Sequence, residues 1–441
     1  TPPRPSHSLL ARPGGKVGGF HRIFDKSARP NHFASGSASL EPQRSAYNYT
    51  SMYYVYILRS LRHGRLYVGI TTDLRRRLAD HNNGKGGRHT RANGPWELVY
   101  SEPQQDRSTA TKREAFLKSP AGLKEKKRLA ESLSDNNLKE LVAPHITGQV
   151  FERIEPLLKG YSHDHKYIVW CAGAPRFLLR MTPAQSLKRR QIEYDALLAL
   201  SARGIRCPAP VAVGLTPCGS MSFSLVEYIM GDDAEQILPG LPEDLQYRLG
   251  LDAGLELWRI HQLTADEPHN AWLERRVRKY RRRVEEASRL GLTFFGQHLV
   301  EEYIERHLGL LEGSLVRFQH DDYHPANMII KDGKWAGIVD FNRCDVGDPI
   351  EEFYKVPWFT IRSSVHFARG QVDGYMEASG IGDFWARYSL FVALNLHGSL
   401  VWEHENGSPE RQSQWLGFVR EIVETHDCAG NGPPKWYKEQ A

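Results

Sequence analysis

The rhythm of hydrophobic and polar positions changes twice along the chain. Residues 1–51 show no sustained strand or helix period and are rich in Pro, Gly, Ser, Arg and His, so they read as a disordered leader. Patterning begins after Met52, which is expected to be the natural start. YYVYIL and RLYVGI flank His63-Gly64 and predict a hairpin. A basic helix follows over Asp73–His81, with Thr72 or Asp73 as N-cap. NNGKGGRH reads as a loop, PWELVYSE as a strand and Ser108–Lys118 as a second helix. A charged helical stretch from Leu123 to about Leu138 then thins out, so residues 52–133 form one unit and 134–149 a linker.

A second unit starts near Val150. FERIEPLL, KYIVWCA and RFLLRM predict successive strands, Leu187–Ser201 a helix, and APVAVGL and SFSLVEYI two more strands. From about Asp244 the helical period dominates. A β-rich lobe over 150–235 followed by a helical lobe over 236–441 is an α+β arrangement divided by a cleft. No internal repeat is visible, and no apolar run is long enough to span a bilayer.

Composition sharpens this picture. With 40% hydrophobic and 25% charged residues, wholesale disorder and fibrous repeats are excluded. Five cysteines without a C-x-x-C pair argue against a disulfide scaffold or zinc ribbon and suit a reducing cytoplasm. The net charge of +6 is unevenly spread: residues 1–144 carry 25 Lys+Arg against 12 Asp+Glu, and the remainder 33 against 40. A basic front and an acidic back predict two modules with oppositely charged partners.

In the front module, Tyr54-Val55-Tyr56 and Tyr67-Val68-Gly69 are followed by Asp73-Leu74-Arg75-Arg76-Arg77-Leu78, His81 and Lys112-Arg113-Glu114. As a spaced set these resemble the GIY-YIG endonuclease superfamily, in particular its small stand-alone bacterial form. The first motif lacks its glycine. The resemblance implies that Glu114 holds a divalent metal, Arg77 contacts the scissile phosphate, and Tyr56 or Tyr67 positions or deprotonates the attacking water. His81 lies one helical turn after Arg77, on the same face, and would share in proton transfer. Segments 75–77 and 85–91 would meet a nucleic-acid backbone with salt-sensitive, sequence-neutral affinity.

The back module carries His320-Asp321-Asp322-Tyr323-His324-Pro325-Ala326-Asn327, then Ile338-Val339-Asp340-Phe341 and Gly347-Asp348-Pro349. An H-x-D-x-x-x-x-N loop with a second aspartate after a short hairpin is a kinase-type layout. Here it closely resembles the aminoglycoside phosphotransferase family of small-molecule kinases, which implies a bilobal protein-kinase-like fold over about 150–441. Asp322 would orient the acceptor hydroxyl and take its proton. Asn327 and Asp340 would coordinate Mg²⁺. His320 is expected to order the loop and His324 to support it.

Arg180 ends the strand RFLLR where such enzymes place a phosphate-pairing lysine, and Glu193 on the next helix is its expected partner. Arginine there is a departure in size and geometry. Ser162, in Lys159-Gly160-Tyr161-Ser162, is expected to cover the phosphates of ATP or GTP. Glu351 and Glu352 after G-D-P, in an acidic module, would suit a polycationic aminosugar, and Asp348 would cap the helix beginning near Pro349. The leading function is thus transfer of phosphate from ATP or GTP to a hydroxyl of a small molecule, an aminoglycoside among the candidates, with antibiotic inactivation as its consequence. The alternatives are a metal-dependent DNA endonuclease with a regulatory or degenerate kinase lobe, a binding protein with neither activity, and a fusion of two unrelated genes.

Overall fold

The computed structural model describes residues 53–441 apart from 105, 133–134, 158–163, 218, 220, 265–266, 408, 427–431 and 439–441. The leader, Met52 and the loop carrying Ser162 lie outside the described residues.

The front module is a three-stranded antiparallel sheet in the order β2-β1-β3, with β1 Tyr53–Ser60, β2 Leu66–Thr71 and β3 Trp96–Gln104. The predicted hairpin is β1–β2, with Tyr56 opposite Gly69. Helix α1 (Leu74–Asn82) is capped by Asp73, whose side chain accepts from the Arg76 amide. Of the two expected caps it is Asp73 that serves. Part of the expected glycine-rich loop is a short helix α2, Arg88–Asn93. Helix α3 (Arg107–Lys118) starts with an Asp106/Thr109 capping box, and α4 covers Leu123–Ser132.

The segment expected to be a linker folds as helix α5, Asp135–Val142. Its apolar residues recur at helical spacing: Leu138, Leu141, Val142 and then Ile146 are buried. They join one core with Val55, Ile57 and Val99 in front and with Val169, Leu179 and Leu225 behind. Rather than spacing two modules apart, α5 packs into both.

The β-rich lobe is a five-stranded antiparallel sheet in the order β4-β5-β6-β8-β7. Its strands are β4 Phe151–Pro156, β5 His165–Cys171, β6 Ala174–Pro183, β7 Pro210–Leu215 and β8 Met221–Glu227, with helix α6 at the predicted Leu187–Ser201. Alternation along β6 sends Leu179 and Met181 into the shared core, while Arg180 between them points to the other face, toward Glu193 on α6.

In the helical lobe, Glu243–Ile260 packs on Val365–Ser379 so closely that glycine is required on both sides. A Cβ on Gly254 would stand 2.2 Å from the Gln371 carbonyl, and one on Gly370 2.1 Å from that of Tyr247. The chain is therefore an α+β multidomain protein, a small α/β unit followed by two kinase-like lobes. Among the described residues no helix is long and apolar enough to cross a membrane.

Candidate phosphotransfer site

The catalytic-type loop is fixed from beneath by His320, which is fully buried. Its Nε2 lies 3.0 Å from the Val339 carbonyl and its Nδ1 accepts from the Asp322 amide at 3.2 Å. Those partners require a neutral ring protonated on Nε2, and burial lowers its pKa to about 4. Tyr323 donates to the Ala253 carbonyl at 2.8 Å, tying the loop to the helical lobe. His320 orders the loop, as expected from its place in the motif.

Asp322 is the best-held carboxylate of the site. Lys355 Nζ is 2.8 Å from its Oδ1, His324 Nε2 3.3 Å and Arg343 Nη1 4.0 Å. Asn327 Nδ2 donates to the Asp322 carbonyl at 2.9 Å and to Oδ2 at 3.2 Å. Burial opposes its ionisation. Hydrogen bonding from His324 and the nearby Lys355 charge outweigh burial and hold the carboxyl well below the usual range. His324 itself stacks on Phe359, ring centroids 4.5 Å apart.

Asp340 sits at the C-terminal end of its hairpin with a left-handed backbone, φ 70°. Its Oδ1 accepts from Arg180 Nη2 at 2.9 Å. Arg180 also meets Glu193 through Nη1 at 3.2 Å and Asp164 through Nε at 3.4 Å. The predicted Arg180–Glu193 pair is present, joined by Arg190 at 2.6 Å from Glu193. Because Asn327 directs its N–H groups at Asp322, its carbonyl oxygen and the second oxygen of Asp340 remain as hard donors. That donor set fits Mg²⁺, which takes one or two carboxylates and keeps most of its water.

The two acidic residues expected to grip a cationic acceptor are turned inward. Glu351 is buried and paired with Arg276 at 2.7 Å. Glu352 is buried and accepts from the Asp321 amide at 2.7 Å, and burial raises its pKa to about 8. Asp348 caps the turn starting at Pro349 by accepting from the Ile350 amide at 2.8 Å. Lys355, Lys166 and Arg343 were not singled out from the sequence. Lys355 ends a seven-residue 3₁₀ helix, Pro349–Lys355, too short for a hydrophobic period to mark which way a side chain points.

The front module gathers a second constellation. The Tyr56 hydroxyl is 2.9 Å from His81 Nε2 and accepts from Arg77 Nε at 3.3 Å. Tyr67 stands edge-on to His81 at 5.2 Å. The motif glycine has a direct reason, since a Cβ on Gly69 would be 2.4 Å from the Tyr56 hydroxyl. Burial raises the Tyr56 phenol to about 12. Glu114 pairs with Lys118 at 2.7 Å, and its charge reaches Tyr56. No cluster of three or more His, Cys, Asp or Glu able to hold a metal occurs among the described residues. A metal here would rest on Glu114 and water.

Comparison with known proteins follows the same division. The family model described as "Phosphotransferase enzyme family" matches residues 153–391, and that described as "GIY-YIG catalytic domain" matches 52–127. A UPF0213 protein of Streptococcus pneumoniae is 41% identical over 90 residues, 20% of this chain and 86% of that protein. A UPF0213 protein of Xanthomonas campestris is 49% identical over 57 residues, 13% of this chain and 56% of that protein. Among solved structures, a Ralstonia eutropha protein provisionally described as an aminoglycoside phosphotransferase shares the fold at TM-score 0.50 and 15% identity, covering 66% of this chain and 98% of that one. Matched over more than half its length, and with the loop, the paired Arg180–Glu193 and the G-D-P turn in place, the chain belongs to the phosphotransferase enzyme family, with a GIY-YIG domain at its front.

Proposed function

We propose that the chain transfers the γ-phosphoryl group of ATP or GTP to a hydroxyl of a small molecule in the cleft between its β-rich and helical lobes. The observation that carries this reading is the Asp322 carboxylate, held ionised by Lys355 and oriented by Asn327. An ionised carboxylate in that place can accept the hydroxyl proton as the new P–O bond forms. Asn327 and Asp340 would hold Mg²⁺, which supplies charge neutralisation on the phosphates. Lys355 keeps Asp322 aimed, and His320 keeps the loop rigid through Val339. Glu351 and Glu352 are committed to Arg276 and the Asp321 amide, so an aminoglycoside acceptor would have to be met by other groups. The test is nucleotide consumption by the full chain and by Asp322→Asn against aminoglycosides, macrolides and simple amino alcohols. Acceptor-dependent turnover lost in Asp322→Asn supports the reading, and turnover unchanged by that substitution overturns it.

A second activity is favoured by the Tyr56–His81–Arg77 contacts: metal-dependent cleavage of a phosphodiester, with Tyr56 at the water, Arg77 at the phosphate and Glu114 at the metal. DNA is the substrate that the basic segments fit. A cytoplasmic location suits both activities.

A further inference from the structure

The arginine at position 180 raises the question of which cation meets the nucleotide. Its guanidinium is tied on three sides, by Asp164, Glu193 and Asp340, and its side chain is buried. Each of its three nitrogens faces a carboxylate, so a phosphate approaching the guanidinium would have to compete with three negative charges already paired to it. Arg190 is likewise committed to Glu193 and lies 3.8 Å from Asp164. The cluster thus sets two guanidiniums against three carboxylates, so a cation free to meet a phosphate has to come from outside those pairs.

The register of the sheet supplies it. Lys166 on β5 lies directly opposite Arg180 on β6, and directly opposed residues of an antiparallel pair project from the same face. Strand alternation sends its neighbour His165 the other way, where the ring stacks on Tyr100 and lies 3.4 Å from the Ser101 hydroxyl of the front module. Lys166 thus faces the cleft. It is half-buried and forms no ion pair within 4.0 Å among the described residues, although the charges of Asp340, Asp164 and Glu193 all act on it. Its ammonium is a compact point charge on a flexible stem, suited to following phosphate oxygens.

We propose that Lys166 is the cation that contacts the nucleotide phosphates, while Arg180 is a positioning residue that braces Glu193 and Asp340. This assignment rests on the phosphotransferase reading and explains how a chain without the usual lysine on β6 handles a nucleoside triphosphate. The experiment compares binding of MgATP, MgGTP and adenosine to the full chain, to Lys166→Met, to Lys166→Arg and to Arg180→Met, by calorimetry, with melting temperatures alongside.

Lys166→Met is expected to weaken the tighter of the two triphosphates at least tenfold and adenosine less than twofold, with an unchanged melting temperature. Lys166→Arg is expected to restore most of the affinity. Arg180→Met is expected to lower the melting temperature. Triphosphate affinity within twofold of the parent in Lys166→Met overturns the assignment. So does an equal loss for triphosphate and adenosine, which would mark a merely structural role. Absence of any nucleotide binding by the parent overturns the phosphotransferase reading itself, a result distinct from either of these.

Discussion

Lys355 donates to Oδ1 of Asp322 across 2.8 Å, linking the turn after G-D-P to the carboxylate at the centre of the phosphotransfer loop. The lysine is buried, and its ammonium also lies 5.0 Å from the Tyr354 ring centroid and 5.6 Å from that of Phe359. Burial lowers its pKa, but the adjoining Tyr354 and the charges on Asp322 and Asp321 raise it by more, so it stays charged. The pair fixes both the aim of the carboxylate and its ionisation.

Replacing Lys355 with Met should therefore lower kcat on the order of 10²-fold, the cost of a misplaced catalytic group, with a smaller change in nucleotide KM. The pH dependence separates this from a general loss of structure. Asp322 has a depressed pKa in the parent, so it is ionised across the working range and contributes no acid limb there. Without Lys355 its pKa should rise, although the His324 hydrogen bond remains, so any acid limb of the kcat profile should lie at higher pH than in the parent. A Lys355→Met enzyme with the parent's kcat and the parent's pH profile would rule out this role.

Glu352 gives a stability prediction with the opposite sign. Burial raises its folded pKa to about 8, against roughly 4.3 in an unfolded chain. Between those values the folded state holds a proton that the unfolded state has lost. Stability should then fall as pH rises through that window, by at most about 1.4 kcal/mol per pH unit. Glu352→Gln keeps an acceptor for the Asp321 amide and cannot ionise. Urea unfolding from pH 5 to 8.5 should show a flatter slope and a gain in stability at pH 8. A variant that is weaker at pH 8 with the parent's slope would contradict the argument. Asp321, Asp348 and Glu405, which burial also raises, should leave part of the slope in place.

How much of this was legible in the sequence depends on how local the signal is. Asp322, Asn327 and Asp340 fall at fixed offsets in one loop and hairpin, and the bounds of α6 follow from an uninterrupted helical pattern. Arg180 and Glu193 were paired by spacing and do meet. Lys166 and Lys355 were missed because their roles come from sheet register and from a short 3₁₀ helix, neither of which leaves a periodic trace. The inward turn of Glu351 and Glu352 was invisible for a related reason. Charge in a sequence does not say which side of a turn it occupies, and Arg276, Glu351's partner, is 75 residues away in the chain. At α5 the polar residues between Leu138 and Leu141 masked a short helix whose burial depends on two separate sheets.

That shared core predicts how the modules unfold. Leu138 and Val142 are fully buried between the two sheets, and Leu138→Ala should cost about 2–5 kcal/mol. The loss should appear in the β-rich lobe as well as in the front module, because α5 packs against β4 and shares one core with residues of β5, β6 and β8. A chain beginning at residue 150 should melt lower than one beginning at 134 and bind nucleotide more weakly. Equal melting temperatures for the two truncations would show that α5 contributes nothing to the lobe.

The front constellation predicts a separable activity. Tyr56 presents its hydroxyl to both His81 and Arg77, while its ring is 1% exposed. Tyr56→Phe removes the hydroxyl and keeps the packed ring, so the fold should survive. If the module cleaves phosphodiesters, Mg²⁺- or Mn²⁺-dependent nicking of supercoiled plasmid should fall by about 10²-fold or more in Tyr56→Phe. Glu114→Ala should abolish it, and Asp322→Asn should leave it untouched. Gly69→Ala tests the geometry from the opposite side. Its methyl group would sit where the Tyr56 hydroxyl now lies, so it should displace the phenol from His81 and reproduce the Tyr56→Phe loss. Nicking that persists in both variants would place the chemistry elsewhere on the module, at Tyr67 or outside it.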